Sequence, residues 1–128
     1  MDSAAVGGRG GQRPGASAAG ARPVIARAWR AQAAADRAPA YAEHVRSHVL
    51  PALRRQPGYM RMLLLQRPAS GMVEITVVTL WQSLDAIRGF AGPDVERAVV
   101  AEEAAALLAQ YDSRAQHYEV VLSDETGG

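Results

Sequence analysis

One stretch, MVEITVVTLWQSLDAIRGFAG from Met72 to Gly92, constrains the fold more than any other. It reads as a strand, a tight hinge and the first turns of a helix. Val73, Ile75, Val77, Thr79 and Trp81 alternate onto one face of the strand, and Glu74, Thr76, Val78 and Leu80 onto the other. Both faces are largely apolar, so each needs a cover. Ser83 suits an N-cap with Asp85 in the first turn, and Leu84, Ile87 and Phe90 follow at helical spacing. A helix therefore covers the face carrying Trp81. The second face needs another layer, and a chain of 128 residues is too short to provide it from itself.

That length allows one domain with a real core. No apolar run approaches the ~18 residues of a membrane span, and no continuous apolar signal-peptide core is found near the N-terminus. Cysteine is absent, so there is no disulfide framework, thiol nucleophile or thiolate metal site, which suits a cytoplasmic protein. All 14 basic residues are Arg, and Lys and Asn are missing altogether, a usage that reads as GC-rich bacterial coding. The net charge of +1 divides into +2 over residues 1–22 and −1 over the rest. A nucleic-acid binder normally carries a basic domain, and this one does not, so nucleic acid is excluded as a partner.

Residues 1–22 hold half of the 12 glycines and no aromatic, and are expected to be a disordered tail. Val24 to Ala31 reads as the first strand, with Val24, Ala26 and Ala28 on one face and Ile25, Arg27 and Trp29 on the other. Ala35 to Gln56 reads as a helix whose stripe is Tyr41, Ala42, Val45, His48, Val49, Ala52 and Leu53. Pro51 removes a backbone donor and should kink this helix near Ser47 to Leu50, and Pro57-Gly58 ends it. Tyr59 to Arg67 is the second strand, joined to the Met72 strand as a hairpin by the turn Pro68 to Gly71. After Gly92-Pro93, Asp94 to Val100 and Glu102 to Tyr111 read as two short helical pieces. Gln116 to Leu122 is the last strand, placing Tyr118 on one face and His117 on the other, and 124–128 is a C-terminal tail.

The order β-α-β-β-α(αα)-β is the ferredoxin-like split βαβ pattern, an α+β domain over 23–123 with a four-stranded antiparallel sheet and helices on one face. The uncovered face would display Arg27, Trp29, Leu63, Leu65, Val78 and Val121. An exposed apolar patch of that kind marks an interface, and two sheets packed face to face would make a homodimer.

VIARAWR (Val24 to Arg30), LPALRRQPGY (Leu50 to Tyr59), LWQSLDAIRGFAG with PDVERAV (Leu80 to Val99) and HYEVV (His117 to Val121) resemble the antibiotic biosynthesis monooxygenase-like family of the dimeric α+β barrel superfamily. The likeness spans about residues 23–123. It implies a pocket between sheet and helices and a cofactor-independent monooxygenase acting on a small aromatic, quinol-like or polyketide-like substrate. The rival is a non-catalytic small-ligand-binding or stress-related dimer. In the family a tryptophan closing the third strand lines that pocket, a position that LWQS gives to Trp81. The haem-degrading branch requires an Asn, which this chain lacks, and an iron-ligating His where DVERAVV places Val99 or Val100. An alkyl side chain cannot ligate iron, so neither haem nor another cofactor is expected.

Within this reading Trp81 and His48 are the catalytic candidates, His48 as a general base facing the pocket beside Tyr41. Tyr41, His44, Met60, Met62, Phe90 and Tyr118 are the substrate-binding candidates. His44 and His48, four apart on one helix, have metal-ligand spacing but no third ligand accompanies them, so no metal is expected. Arg27, Arg61, Glu74 and Glu119 are expected to pair on the dimer-facing side. Strand parity assigns Ala26, Ala28, Met62, Val77, Trp81 and Tyr118 to the helix-facing side. The two alanines would leave a cavity there, beneath the first helix near Pro51.

Overall fold

A computed structural model describes residues 23–126. The tail expected over 1–22 and the last two residues of the C-terminal tail lie outside the described residues. The elements run β1 (Ile25–Ala34), α1 (Ala38–His44), α2 (Leu50–Arg54), β2 (Tyr59–Ala69), β3 (Met72–Trp81), α3 (Leu84–Ala91), α4 (Glu102–Leu107), β4 (Gln110–Tyr111) and β5 (Gln116–Glu119). All strand pairs are antiparallel, in the order β2-β3-β1, with the far edge of β1 shared by β5 and β4. β5 takes Ile25 to Ala28 and β4 takes Ala31 and Gln32. The helices lie on one face, so the fold is the α+β ferredoxin-like arrangement, with β4 as a two-residue addition to the four main strands.

Local chemistry explains most boundaries. Ser70 and Gly71 both have positive φ, 54° and 79°, which makes the β2–β3 link the two-residue turn whose twist suits a hairpin. Ser83 is extended and its hydroxyl accepts from the Ala86 N–H at 3.1 Å, starting α3. Gly58 has a φ of +84°, and a Cβ there would come within 2.5 Å of the Ala86 Cβ. Only glycine lets the α2–β2 bend pass this close to α3.

The kink expected before Pro51 takes another form. Between α1 and α2 the chain makes a wide π turn, Val45–Val49, in which the Leu50 N–H donates to the Val45 carbonyl. Pro51 has no N–H to offer Ser47, and the helix widens ahead of it instead of breaking. Tyr41, Val45, Val49 and Leu53 consequently recur at intervals of four and all face the sheet. His48 turns out to solvent.

Strand parity in β3 is as the sequence reads. In β1 and β5 it is inverted. Ile25, Arg27, Trp29, Ala31 and Ala33 stand opposite Trp81, Thr79, Val77, Ile75 and Val73, on the helix-facing side. Ala26 and Ala28 are on the open face, and Tyr118 and Gln116 pair beside them, while His117 faces the helices. The reason is strand length. β1 runs to Ala34, which adds Ala33 to the odd positions and Gln32 and Ala34 to the even ones, so the even face carries both Arg30 and Gln32. The longer apolar stripe is the odd one, and burial follows it.

The cost of that choice is Arg27, which is 6% exposed. Its guanidinium donates to the Val95 carbonyl and, at 2.7 Å, to that of Arg97; it lies 2.9 Å from His117 Nε2 and 5.9 Å from the Phe90 ring centroid. Burial pulls its pKa below the ordinary arginine value. These bonds, with Ala98 N–H to the Ser113 carbonyl and Ala115 N–H to that of Glu96, hold residues 94–98 as an irregular segment. The helix expected over Asp94 to Val100 is therefore absent, and the second piece stops at Leu107 to leave Gln110–Tyr111 for β4. Of the residues expected to pair with one another on the open face, Glu74 pairs instead with Arg67 at 2.8 Å, and Arg27 points to the helices.

Candidate functional site

The helix-facing side of the sheet carries two hydrophobic clusters. Ile25, Leu53, Trp81, Ile87 and Ala91 form one. Ala31, Ala33, Ala38, Tyr41, Val45, Ile75 and Ala104 form the other. Each large side chain buried in them contributes about 1.5–3 kcal/mol. Next to the second cluster, beneath α1 and the π turn, lies a cavity of about 80 Å³. Tyr41, His44, Val45, Val49 and Leu53 roof it, Trp29, Met62, Val77 and Thr79 form its sheet side, and Phe90, Val99, Val100, Ala101 and Ala104 complete the wall. It adjoins an outer cleft of about 380 Å³ lined by His44, His48, Val49, Ala52, Phe90, Val99, Ala101 and Glu103. His44, Val49, Phe90, Val99 and Ala101 belong to both, so the cleft is the mouth of the cavity.

Few polar atoms meet this apolar space. The Tyr41 side chain is buried, and burial pushes its pKa up to about 12, so it stays a neutral hydroxyl in ordinary buffers. His44 Nε2 is buried with no hydrogen-bond partner among the described residues. A buried polar group left unpaired costs about 1–3 kcal/mol, which a bound molecule carrying a hydrogen-bonding group would recover. His48 stacks on His44, with ring centroids 5.1 Å apart and planes inclined by 17°. Of the two histidines, His44 thus has the inward place expected for His48. Among the described residues, no group of three His, Asp or Glu stands where it could hold a metal ion.

The other candidates divide between cavity, core and surface. Met62 and Phe90 join Tyr41 and His44 in the lining. Trp81 is 0% exposed and does not line the cavity. Its indole N–H donates to the Thr79 hydroxyl at 2.8 Å, and its ring lies between Tyr59 and Phe90, at centroid distances of 5.6 and 5.5 Å. Met60 stands at the irregularity between Tyr59 and Arg61, which turns it to solvent. Tyr118 is on the open face, with its hydroxyl donating to Gln116. Trp29 lines the cavity although the sequence suggests the open face; reading β1 through to Ala34 would have found it. Ala26 and Ala28 leave no space beneath the helix. The room comes from small and short side chains on the helix side: Ala101, Ala104, Val99 and Val100.

No protein-family model matches the sequence, and no curated protein does. Solved structures do match. A Bacillus cereus protein assigned as an antibiotic biosynthesis monooxygenase is similar over 82% of this chain and 100% of its own, at TM-score 0.58 and 16% identity. A mutant of SnoaB, a cofactor-independent oxygenase from Streptomyces nogalater, is similar over 80% of this chain and 97% of its own, at TM-score 0.55 and 23% identity. MhuD, a haem degrader from Mycobacterium tuberculosis with two haems bound in its active site, is similar over 80% of this chain and 100% of its own, at TM-score 0.51 and 26% identity. The chain has the fold of the antibiotic biosynthesis monooxygenase-like proteins, the family its sequence resembles.

Proposed function

We propose that the protein is a cofactor-independent monooxygenase that oxidises a small electron-rich aromatic molecule held in the cavity and its cleft. The observation that carries this reading is an apolar cavity, opening through the cleft, whose lining includes His44, a residue whose Nε2 is buried and has no partner among the described residues. An apolar chamber with one proton acceptor suits removal of a proton from a ring whose anion can then reduce O₂ directly. A ring methylene and O₂ give a ketone and water, so the balance needs no external reductant. His44 is the base in this scheme and the Tyr41 hydroxyl donates to the developing oxyanion. Trp81 acts from the core, fixing Phe90 and Thr79, which touch the cavity.

Val99 and Val100, where the resemblance would place the iron ligand of the haem-degrading branch, are alkyl and cannot ligate iron, and the inner chamber of about 80 Å³ is too small for the macrocycle.

The second part of the reading is a homodimer, working in the cytoplasm. The register places Leu63, Val78 and Ala28 in one row across the open face, with Leu80 and Ala26 in the row beside it and Leu65 beyond. Leu63 is 41% and Leu65 47% exposed. A second copy would cover this face. Sedimentation at micromolar concentration should give a dimer, and Leu63→Asp a monomer; a monomeric wild-type protein would dismiss this part.

Quinol and anthrone substrates incubated in air test the activity. O₂ uptake and one labelled oxygen atom in the product are expected, and His44→Ala should slow the reaction by about 100-fold or more. A protein that binds these compounds in the cavity without consuming O₂ would instead be a non-catalytic ligand carrier.

A further inference from the structure

Neither chamber contains an arginine among the described residues, although Arg makes up all 14 basic residues of the chain. Arg27 reaches the Phe90 ring, but it lines neither chamber, and its terminal nitrogens are engaged by Val95, Arg97 and His117. The one carboxylate in the lining is Glu103, at the lip of the outer cleft. Its neighbours set its place in the chain beside the cleft, since Ala101 borders both chambers and Ala104 is buried against the inner one.

From this charge pattern, and resting on the reading of cavity and cleft as a ligand site, we infer that the site selects neutral or cationic aromatic molecules and rejects aromatic acids, with Glu103 as the residue that sets the preference. An aromatic carboxylate entering the chamber would lose its hydration and meet no cation there. Its charge would also pass Glu103, a like charge, on the way in. A phenolic hydroxyl loses nothing comparable, because it carries no charge to desolvate. An ammonium substituent left in the outer cleft gains the Glu103 carboxylate and the face of Phe90. The favoured ligand is thus an apolar ring spanning the cleft and the cavity, a hydroxyl on the His44 side, and a neutral or basic substituent at the lip.

Three probes of one shape and different charge test this by calorimetric titration at low ionic strength and pH 8: naphthol, naphthylmethylammonium and naphthoate. Naphthol and the ammonium should bind at least about ten-fold more tightly than naphthoate. Glu103→Gln, a change on an exposed side chain, should weaken the ammonium and strengthen naphthoate while leaving naphthol unchanged. Naphthoate binding as tightly as the ammonium, or a gap that Glu103→Gln does not narrow, overturns the inference but leaves the ligand site standing. If none of the three binds, the site itself fails and the inference fails with it.

Discussion

The two hydrophobic clusters over the sheet use similar side chains to opposite ends. Around Trp81 every requirement is met internally: the indole N–H has Thr79, the ring has Tyr59 and Phe90 beside it, and Leu53 and Ile87 fill the remaining space. Around Tyr41 the core is built from alanines and valines, a cavity remains, and His44 Nε2 has no partner. Protein interiors are normally close-packed with their polar atoms paired. The satisfied aromatic is therefore holding the fold, and the unsatisfied imidazole is where a ligand has something to contribute.

The strongest way to break this contrast is Trp81→Ala. It should cost about 3–5 kcal/mol, read as a lowered midpoint in urea, because the large buried side chain leaves a void between Tyr59 and Phe90. A variant that stays as stable as wild type and loses only ligand binding would move Trp81 from the structural pole to the functional one.

How much of this could be read from residues alone depended on the element. β3 was fully legible, since its alternation ends in a capped helix and Ser83 fixes where the strand stops. β1 was not, because Arg27 sits on the face that is buried; a lone charge inside an apolar stripe argues for solvent until its partners, two carbonyls and an imidazole from distant segments, are known. β5 pairs with β1, so its faces invert with it. The helix stripe showed where a pocket roof would be. It could not show which histidine points inward, because the π turn before Pro51 adds a residue to the repeat. Residues 94–98 are held by tertiary bonds to Arg27 and to residues 113–115, which local propensity does not contain.

His44→Ala sharpens the contrast from the other side. Removing an unpaired buried nitrogen should leave stability within about 1 kcal/mol of wild type, or raise it, because the desolvation cost of that atom disappears. Ligand binding and turnover should fall together. Calorimetric titration with naphthol alongside a thermal melt checks both. A large drop in stability with binding retained would make His44 a packing residue and return the search to His48.

The smallest effect is expected at the clasp between the clusters, where His117 Nε2 faces Arg27. Burial first, and then the charge of Arg27, hold the His117 pKa below the ordinary histidine value, with Glu96 pulling the other way. The unfolded chain therefore takes up this proton at a higher pH than the folded one does. Stability from this source is complete above about pH 6.5 and is lost as pH falls from there through the lower folded value. His117→Gln can still accept from Arg27 but cannot titrate, so its stability should fall less than that of wild type between pH 8 and pH 5. Arg27 also binds the Val95 and Arg97 carbonyls, so a protonated His117 would loosen the segment that leads to Val99, Val100 and Ala101. Hydrogen exchange at pH 5 should accordingly quicken at the Ala98 and Ala115 amides while the β3 amides near Trp81 keep their protection. Equal loss of protection in both places, or the same acid sensitivity in His117→Gln, would show that the two clusters open as one unit and that the clasp does not separate them.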